Sequence, residues 1–226
     1  MTQEPIAITK QASTLKLPFS IRGIIFIGLL LLQTGCFLIL PSSINQVYRL
    51  FLSHTFCLLI PTILFLHYDN APSSLFGLKK MGSALFWGTL LGVACFFLNV
   101  LLLAIIKKIH SFSSNYSQTL LQENIPLGIK WLCLALEPAI AEELLFKALL
   151  IGPIFEFHDQ FSSQQKYLVF VLVSILFAFI HFSGLYFVPL FVTSFIICLA
   201  TMKTGSIYTA IMIHLVNNSL SVLLYK

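Results

Sequence analysis

Between Ile21 and Tyr225 the chain is a succession of apolar runs separated by short polar connections, most of the runs close to twenty residues long. A run of that length crosses the roughly 30 Å hydrocarbon core of a bilayer as a helix, since every backbone N–H and C=O then finds its partner within the segment. The runs fall at about 21–40, 47–66, 83–106, 131–155, 167–182, 185–202 and 207–225. They predict an all-α polytopic bundle of about seven transmembrane spans. A hydrophobic fraction of 58%, a charged fraction of 9% and a mean hydropathy of +0.95 agree, and little chain is left for a soluble domain. The expected organisation is a cytoplasmic tail, 1–20, ahead of one transmembrane domain, 21–226.

The first run reads as a signal anchor, and Gln33 stands where a lipoprotein cleavage box before Cys36 would need Leu. The net charge of +5 comes from lysines and arginines scattered at the ends of apolar runs, which orients a membrane protein and forms no nucleic-acid patch. With the N-terminus inside, Lys10, Lys16, Arg22, Lys79, Lys80, Lys166 and Lys203 lie on the cytoplasmic side. Arg49, Lys107, Lys108, Lys130 and Lys226 lie on the other. The balance leans towards the N-terminus inside, in the cytoplasmic membrane of a bacterium. Five cysteines without CxxC spacing are read as free buried thiols.

Into the fourth run the chain places Glu137, Glu142, Glu143 and Lys147. Each charge at mid-bilayer costs about 2.5–3.5 kcal/mol on the insertion scale, so the four together cost on the order of 10 kcal/mol, against about 0.3–0.6 returned per Leu, Ile or Phe. Such a segment needs partners on neighbouring helices or a wet cavity, and intramembrane ionisable groups are functional-site candidates. Glu143 and Lys147, four apart with Glu on the N-terminal side, are placed to neutralise each other. Glu142 points about 100° away around the helix and has no partner in its own segment. Glu137, just before Pro138, reads as an acid at a helix start, favoured by the dipole.

Later runs carry His181, at the end of Phe177-Ala178-Phe179-Ile180-His181, and His214 with Asn218 four residues on. One carboxylate, two imidazoles and one amide can thus converge from the fourth, fifth and seventh spans. A carboxylate and a histidine can hold and deprotonate water, and a histidine and an amide can donate to the oxyanion of a tetrahedral intermediate. That set suits amide hydrolysis. Taken singly, His181 also fits an interfacial histidine, His214 with Asn218 fits interhelical hydrogen bonding, and Glu143–Lys147 fits a structural ion pair.

The elements EExxxK at Glu142–Lys147, FxxxH at Phe177–His181 and HxxxN at His214–Asn218 resemble, in order, the motifs of the CPBP intramembrane proteases. That family includes type II CAAX prenyl endopeptidases, bacterial relatives linked to bacteriocin processing and immunity, and lysostaphin-resistance proteins. The resemblance implies a catalytic core over about 127–226, with Glu142 activating water and His181 assisting. It implies His214 and Asn218 as oxyanion donors, and Glu143 with Lys147 in support. Lys147 departs from the usual Arg and lacks its bidentate fork. It further implies a peptide or lipid-anchored protein substrate, cut near its C-terminus at the membrane surface. A metal-free mechanism with no cofactor is favoured, because no HExxH is present and zinc on Glu142, His181 and His214 would leave Asn218 without a task. A non-catalytic scaffold or transporter is the alternative outside enzymology.

Overall fold

In the computed structural model, residues 17–69, 81–109, 120, 123–156, 158–181 and 184–224 are described. Seven long helices run through them: α1 Phe19–Ile39, α2 Gln46–Tyr68, α3 Met81–Ile109, α4 over 127–156, α5 Ser163–Ile180, α6 Phe187–Thr204 and α7 Ile207–Leu224. No strand occurs among the described residues, so the all-α polytopic bundle expected from the apolar runs is the fold. The orientation argument depends on Lys10, Lys16, Lys79, Lys80 and Lys226, which lie outside the described residues.

Six of the seven helices are long and apolar enough to cross a membrane; α4 is the exception. The six present large apolar side chains outwards, among them Ile24 and Leu31, each 69% exposed, and Phe97, 64% exposed. Hydrocarbon is the solvent that makes such a surface favourable. In α4 every residue from 141 to 154 is buried, so Glu142, Glu143 and Lys147 are enclosed by protein. That placement is how a segment with a prohibitive insertion cost is tolerated.

Local signals set the helix ends. Asn45 caps α2, its side chain accepting from the Val47 N–H at 2.9 Å. Ser162 and Gln165 close a reciprocal capping box at the start of α5. Between α6 and α7 the chain reverses at Gly205, whose φ of 61° lies in the left-handed region that glycine enters without a Cβ clash.

Three π-helical stretches interrupt the regular helices: Thr55–Leu59 in α2, and Leu132–Leu136 and Leu144–Ile151 in α4. Each ends two residues before a proline, at Pro61, Pro138 and Pro153. Proline has no N–H for the carbonyl four residues earlier, and its ring crowds that carbonyl; a widened turn relieves the clash. Two of the carbonyls so deprived are taken by side chains from other helices. Leu134, four before Pro138, accepts from Asn218 Nδ2 at 3.3 Å, and Leu149, four before Pro153, accepts from Arg22 Nη1 at 3.3 Å.

Arg22 also makes a short charge-assisted contact with Asp69, both side chains being fully buried. Asp69 in turn accepts from the Leu17 N–H at 3.0 Å. Arg22 is therefore a structural clasp joining α1, the end of α2 and α4, and not the free orienting charge its place before an apolar run suggests. Arg49 likewise turns back onto α1, donating to the Phe37 carbonyl at 2.6 Å.

Among the described residues, α3 and α7 make the most extensive helix–helix contact. A Cβ added at Gly88 would lie 2.6 Å from Met212 Cβ, and one at Gly92 would lie 2.7 Å from Val216 Cβ. Gly88 and Gly92 form a GxxxG stripe that lets the α7 backbone approach closely, as small residues do between membrane helices. The five cysteines are free thiols; four are buried and Cys36 is half-buried.

Candidate active site

Glu142 and Glu143 lie side by side in α4, both buried, and turn to different partners. Glu143 Oε1 accepts from His214 Nδ1 on α7 at 2.8 Å, while Glu143 Oε2 stands 3.9 Å from Lys147 Nζ. The expected pairing of Glu143 with Lys147 is present, and the link to His214 is an addition to it. Lys147 is fully buried, donates to Ser194 Oγ on α6 at 3.1 Å, and lies 5.4 Å from the centroid of the Phe177 ring. An ammonium so enclosed depends on its carboxylate, hydroxyl and ring neighbours to replace water.

Glu142 is the carboxylate turned towards both histidines. Its Oε2 lies 3.9 Å from His181 Nε2 and 3.9 Å from His214 Nε2, and makes no hydrogen bond to a described residue. His181 ends α5, with 29% of its side chain exposed, and its Nδ1 lies 2.7 Å from the Phe177 carbonyl one turn back. A carbonyl can only accept, so Nδ1 carries a proton and Nε2 is the nitrogen turned towards Glu142. By the same reasoning His214 Nδ1 donates to Glu143, which leaves its Nε2 on the side of Glu142. Phe177 packs between the two rings, with centroids 4.8 Å from His181 and 6.0 Å from His214. The Phe of the FxxxH element thus sets the spacing of the imidazoles.

Asn218 lies one turn beyond His214 on α7. Its Nδ2 donates to the Leu134 carbonyl, and its Oδ1 accepts from Asn217 Nδ2 at 3.2 Å. Glu142, His181 and His214 are therefore brought together from α4, α5 and α7. Asn218 joins them through the backbone of α4, and Trp131 Nε1 ties α4 to α7 again by donating to Ser219 Oγ at 2.8 Å.

Glu137 is placed differently from its expected role at a helix start. The helix is continuous through it, and the Glu137 N–H reaches back to the Leu132 carbonyl, so no free amides await a capping carboxylate. Glu137 instead lies 3.5 Å from His54 Nδ1 and accepts from Thr55 Oγ1 at 3.5 Å, both on α2. His54 was not legible as a partner because the two are far apart in sequence. Asn99 and Asn217 were also passed over, although amides inside apolar runs are a signal in their own right.

Zinc on Glu142, His181 and His214 would need donors at about 2.0–2.2 Å from the metal, and hence about 3.3 Å from one another in a tetrahedral set. The Glu142–imidazole separations of 3.9 Å are wider, and no group of three His, Cys, Asp or Glu among the described residues is arranged to hold a metal ion.

A bundle of apolar helices around one buried, charged helix, with a carboxylate flanked by two imidazoles at its centre, defines a multi-pass integral membrane protein with an enclosed cluster of ionisable side chains. Residues 124–220, which take in α4 to α6, most of α7 and all seven motif residues, match the family model described as Rce1-like, type II CAAX prenyl endopeptidase Rce1-like. Over this segment, which is less than half of the chain, the protein is similar to that family, and the match supports a CAAX-protease-like intramembrane endopeptidase at family level. The match lends nothing to a link with bacteriocin immunity. No curated protein and no solved structure matches the chain.

Proposed function

We propose that the protein hydrolyses a peptide bond near the C-terminus of a lipid-anchored or hydrophobic substrate, at the membrane surface, by a metal-free mechanism in which Glu142 is the general base. The observation that carries this reading is the position of Glu142 Oε2, 3.9 Å from two imidazole Nε2 atoms and without a hydrogen bond to a described residue. Polar groups at that separation are bridged well by one water molecule.

Glu142 accepts a proton from this water as the oxygen attacks the scissile carbonyl carbon. His181, whose Nε2 faces Glu142, helps hold the water. Negative charge develops on the carbonyl oxygen, where His214 Nε2–H and Asn218 Nδ2–H donate to it. Glu143 stabilises the imidazolium that this role requires of His214, and Lys147 holds Glu143 ionised and in place. The proton taken by Glu142 passes to the leaving nitrogen, directly or through His181. The C–N bond breaks, giving a carboxylic acid and an amine.

Cleavage of CAAX peptides with and without a farnesyl group, by detergent-purified protein in the presence and absence of a zinc chelator, tests the reading. Product masses one to three residues apart at the C-terminus, formed equally with chelator present, are expected. Chelator-sensitive cleavage would move the mechanism to a metal, and a well-folded protein that cleaves none of the peptides would remove the protease assignment.

A further inference from the structure

Four helices contribute to one chain of polar contacts that ends at Asn218. Thr193 Oγ1 on α6 donates to Asn99 Oδ1 on α3 at 3.1 Å, and Asn99 Nδ2 donates to Asn217 Oδ1 on α7 at 3.0 Å. Asn217 Nδ2 donates to Asn218 Oδ1 at 3.2 Å, and Asn218 Nδ2 donates to the Leu134 carbonyl on α4 at 3.3 Å.

The direction of this chain is decided at one end. A side-chain amide can turn over and exchange its donor for its acceptor, but a backbone carbonyl accepts only. Leu134, whose carbonyl finds no N–H at Pro138, therefore requires the NH2 group of Asn218. Asn218 Oδ1 then requires a donor, which turns Asn217; Asn217 Oδ1 turns Asn99 in the same way; and Asn99 Oδ1 takes the Thr193 hydroxyl. Each amide is held in one of its two orientations by the next. The consequence falls on Asn218, whose NH2 keeps a second hydrogen beyond the one given to Leu134.

We infer that Asn217 and Asn99 are positioning residues that hold the Asn218 amide with its NH2, and not its oxygen, available to the reacting carbonyl, the polarity being set by the Leu134 carbonyl, which can only accept. The inference rests on the reading of Asn218 as an oxyanion donor. An Asn218 amide free to turn over would present a carbonyl oxygen to a developing negative charge for part of the time. Neither Asn217 nor Asn99 touches the reacting atoms, so their effect passes through Asn218 alone.

A double-mutant cycle on the full-length protein, with a fluorogenic farnesylated CAAX peptide as probe, tests this. An oxyanion donor is worth about 100-fold or more in kcat, so Asn218→Ala is expected to lower kcat by about that factor. Asn217→Ala and Asn99→Ala are expected to lower kcat by about 5- to 20-fold with KM within about two-fold, and Asn217→Ala to add no further loss in the Asn218→Ala background. Thermal unfolding of each variant in detergent separates misfolding from misorientation. If Asn217→Ala does not fold, Thr193→Val at the far end of the chain decides, with a smaller kcat loss expected that disappears in the Asn218→Ala background. Equal fractional losses in both backgrounds, or unchanged kcat for both Asn217→Ala and Asn99→Ala, would overturn the inference and leave the role of Asn218 standing. An Asn218→Ala variant with wild-type kcat would instead overturn the reading beneath it.

Discussion

His214 donates from Nδ1 to Glu143 Oε1 at 2.8 Å, joining the middle of α7 to the middle of α4 and turning the other nitrogen of the ring towards Glu142. A carboxylate on Nδ1 both orients an imidazole and supports its positive charge. Glu143→Gln keeps the size of the side chain and removes that support. It is expected to lower kcat by about 100-fold or more with little change in KM. Steady-state kinetics on a CAAX peptide check this; a variant with wild-type kcat would mean that Glu143 serves only as a counter-ion for Lys147.

Lys147 gives the largest expected loss of stability. Its ammonium is fully buried between Glu143, Ser194 and the rings of Phe146 and Phe177. Removing one member of such a pair costs about 3–5 kcal/mol, because the other charge is left uncompensated. Lys147→Met should therefore unfold at a clearly lower temperature in detergent. The double variant Glu143→Gln with Lys147→Met should recover much of that stability and none of the activity.

Gly88 and Gly92 are expected to matter to catalysis although neither touches the site. A methyl group at Gly92 would meet Val216 Cβ at 2.7 Å and the Ile213 carbonyl at 2.9 Å, next to His214 in sequence. Overpacking of this kind costs about 1–3 kcal/mol, and moving a catalytic group by about 1 Å can cost about 100-fold in rate. Gly92→Ala should lose both stability and kcat. Gly82→Ala on the same helix, where no described residue lies within 4 Å of the added carbon, should be close to neutral and serves as the control.

Pro138→Ala returns an N–H at position 138, four residues after Leu134, whose carbonyl accepts from Asn218. The backbone then competes with Asn218 for that carbonyl, and α4 can close into a regular helix. We expect a protein at least as stable as the wild type by thermal unfolding, with kcat lower by about ten-fold, since part of an oxyanion-donor contribution is lost. Unchanged kcat would show that the orientation of Asn218 does not depend on Leu134.

The helices were legible because their cause is local: an apolar run of sufficient length has one stable form in hydrocarbon. Glu142, His181 and His214 were legible for a similar reason, each being a rare ionisable group at motif spacing in an apolar run. What could not be read were relationships across the bundle. Arg22 precedes an apolar run and looked like an orienting charge, yet its partner Asp69 lies 47 residues away. Glu137 was expected to start a helix because Pro138 follows it, but the π-helical turn Leu132–Leu136 carries the helix through and turns Glu137 towards His54. Two signals were present and unread: the GxxxG spacing at Gly88 and Gly92, and the recurrence of amides at Asn99, Asn217 and Asn218.

The central claim is that Glu142 is the base. Single-turnover cleavage of a farnesylated CAAX peptide by Glu142→Gln, beside measurement of peptide affinity and thermal unfolding, tests it most directly. The account predicts cleavage lowered by about 1,000-fold or more, with affinity and unfolding temperature close to those of the wild type, because the amide keeps the shape of the carboxylate and cannot take a proton. A Glu142→Gln variant that binds and cleaves the peptide at the wild-type rate would contradict it.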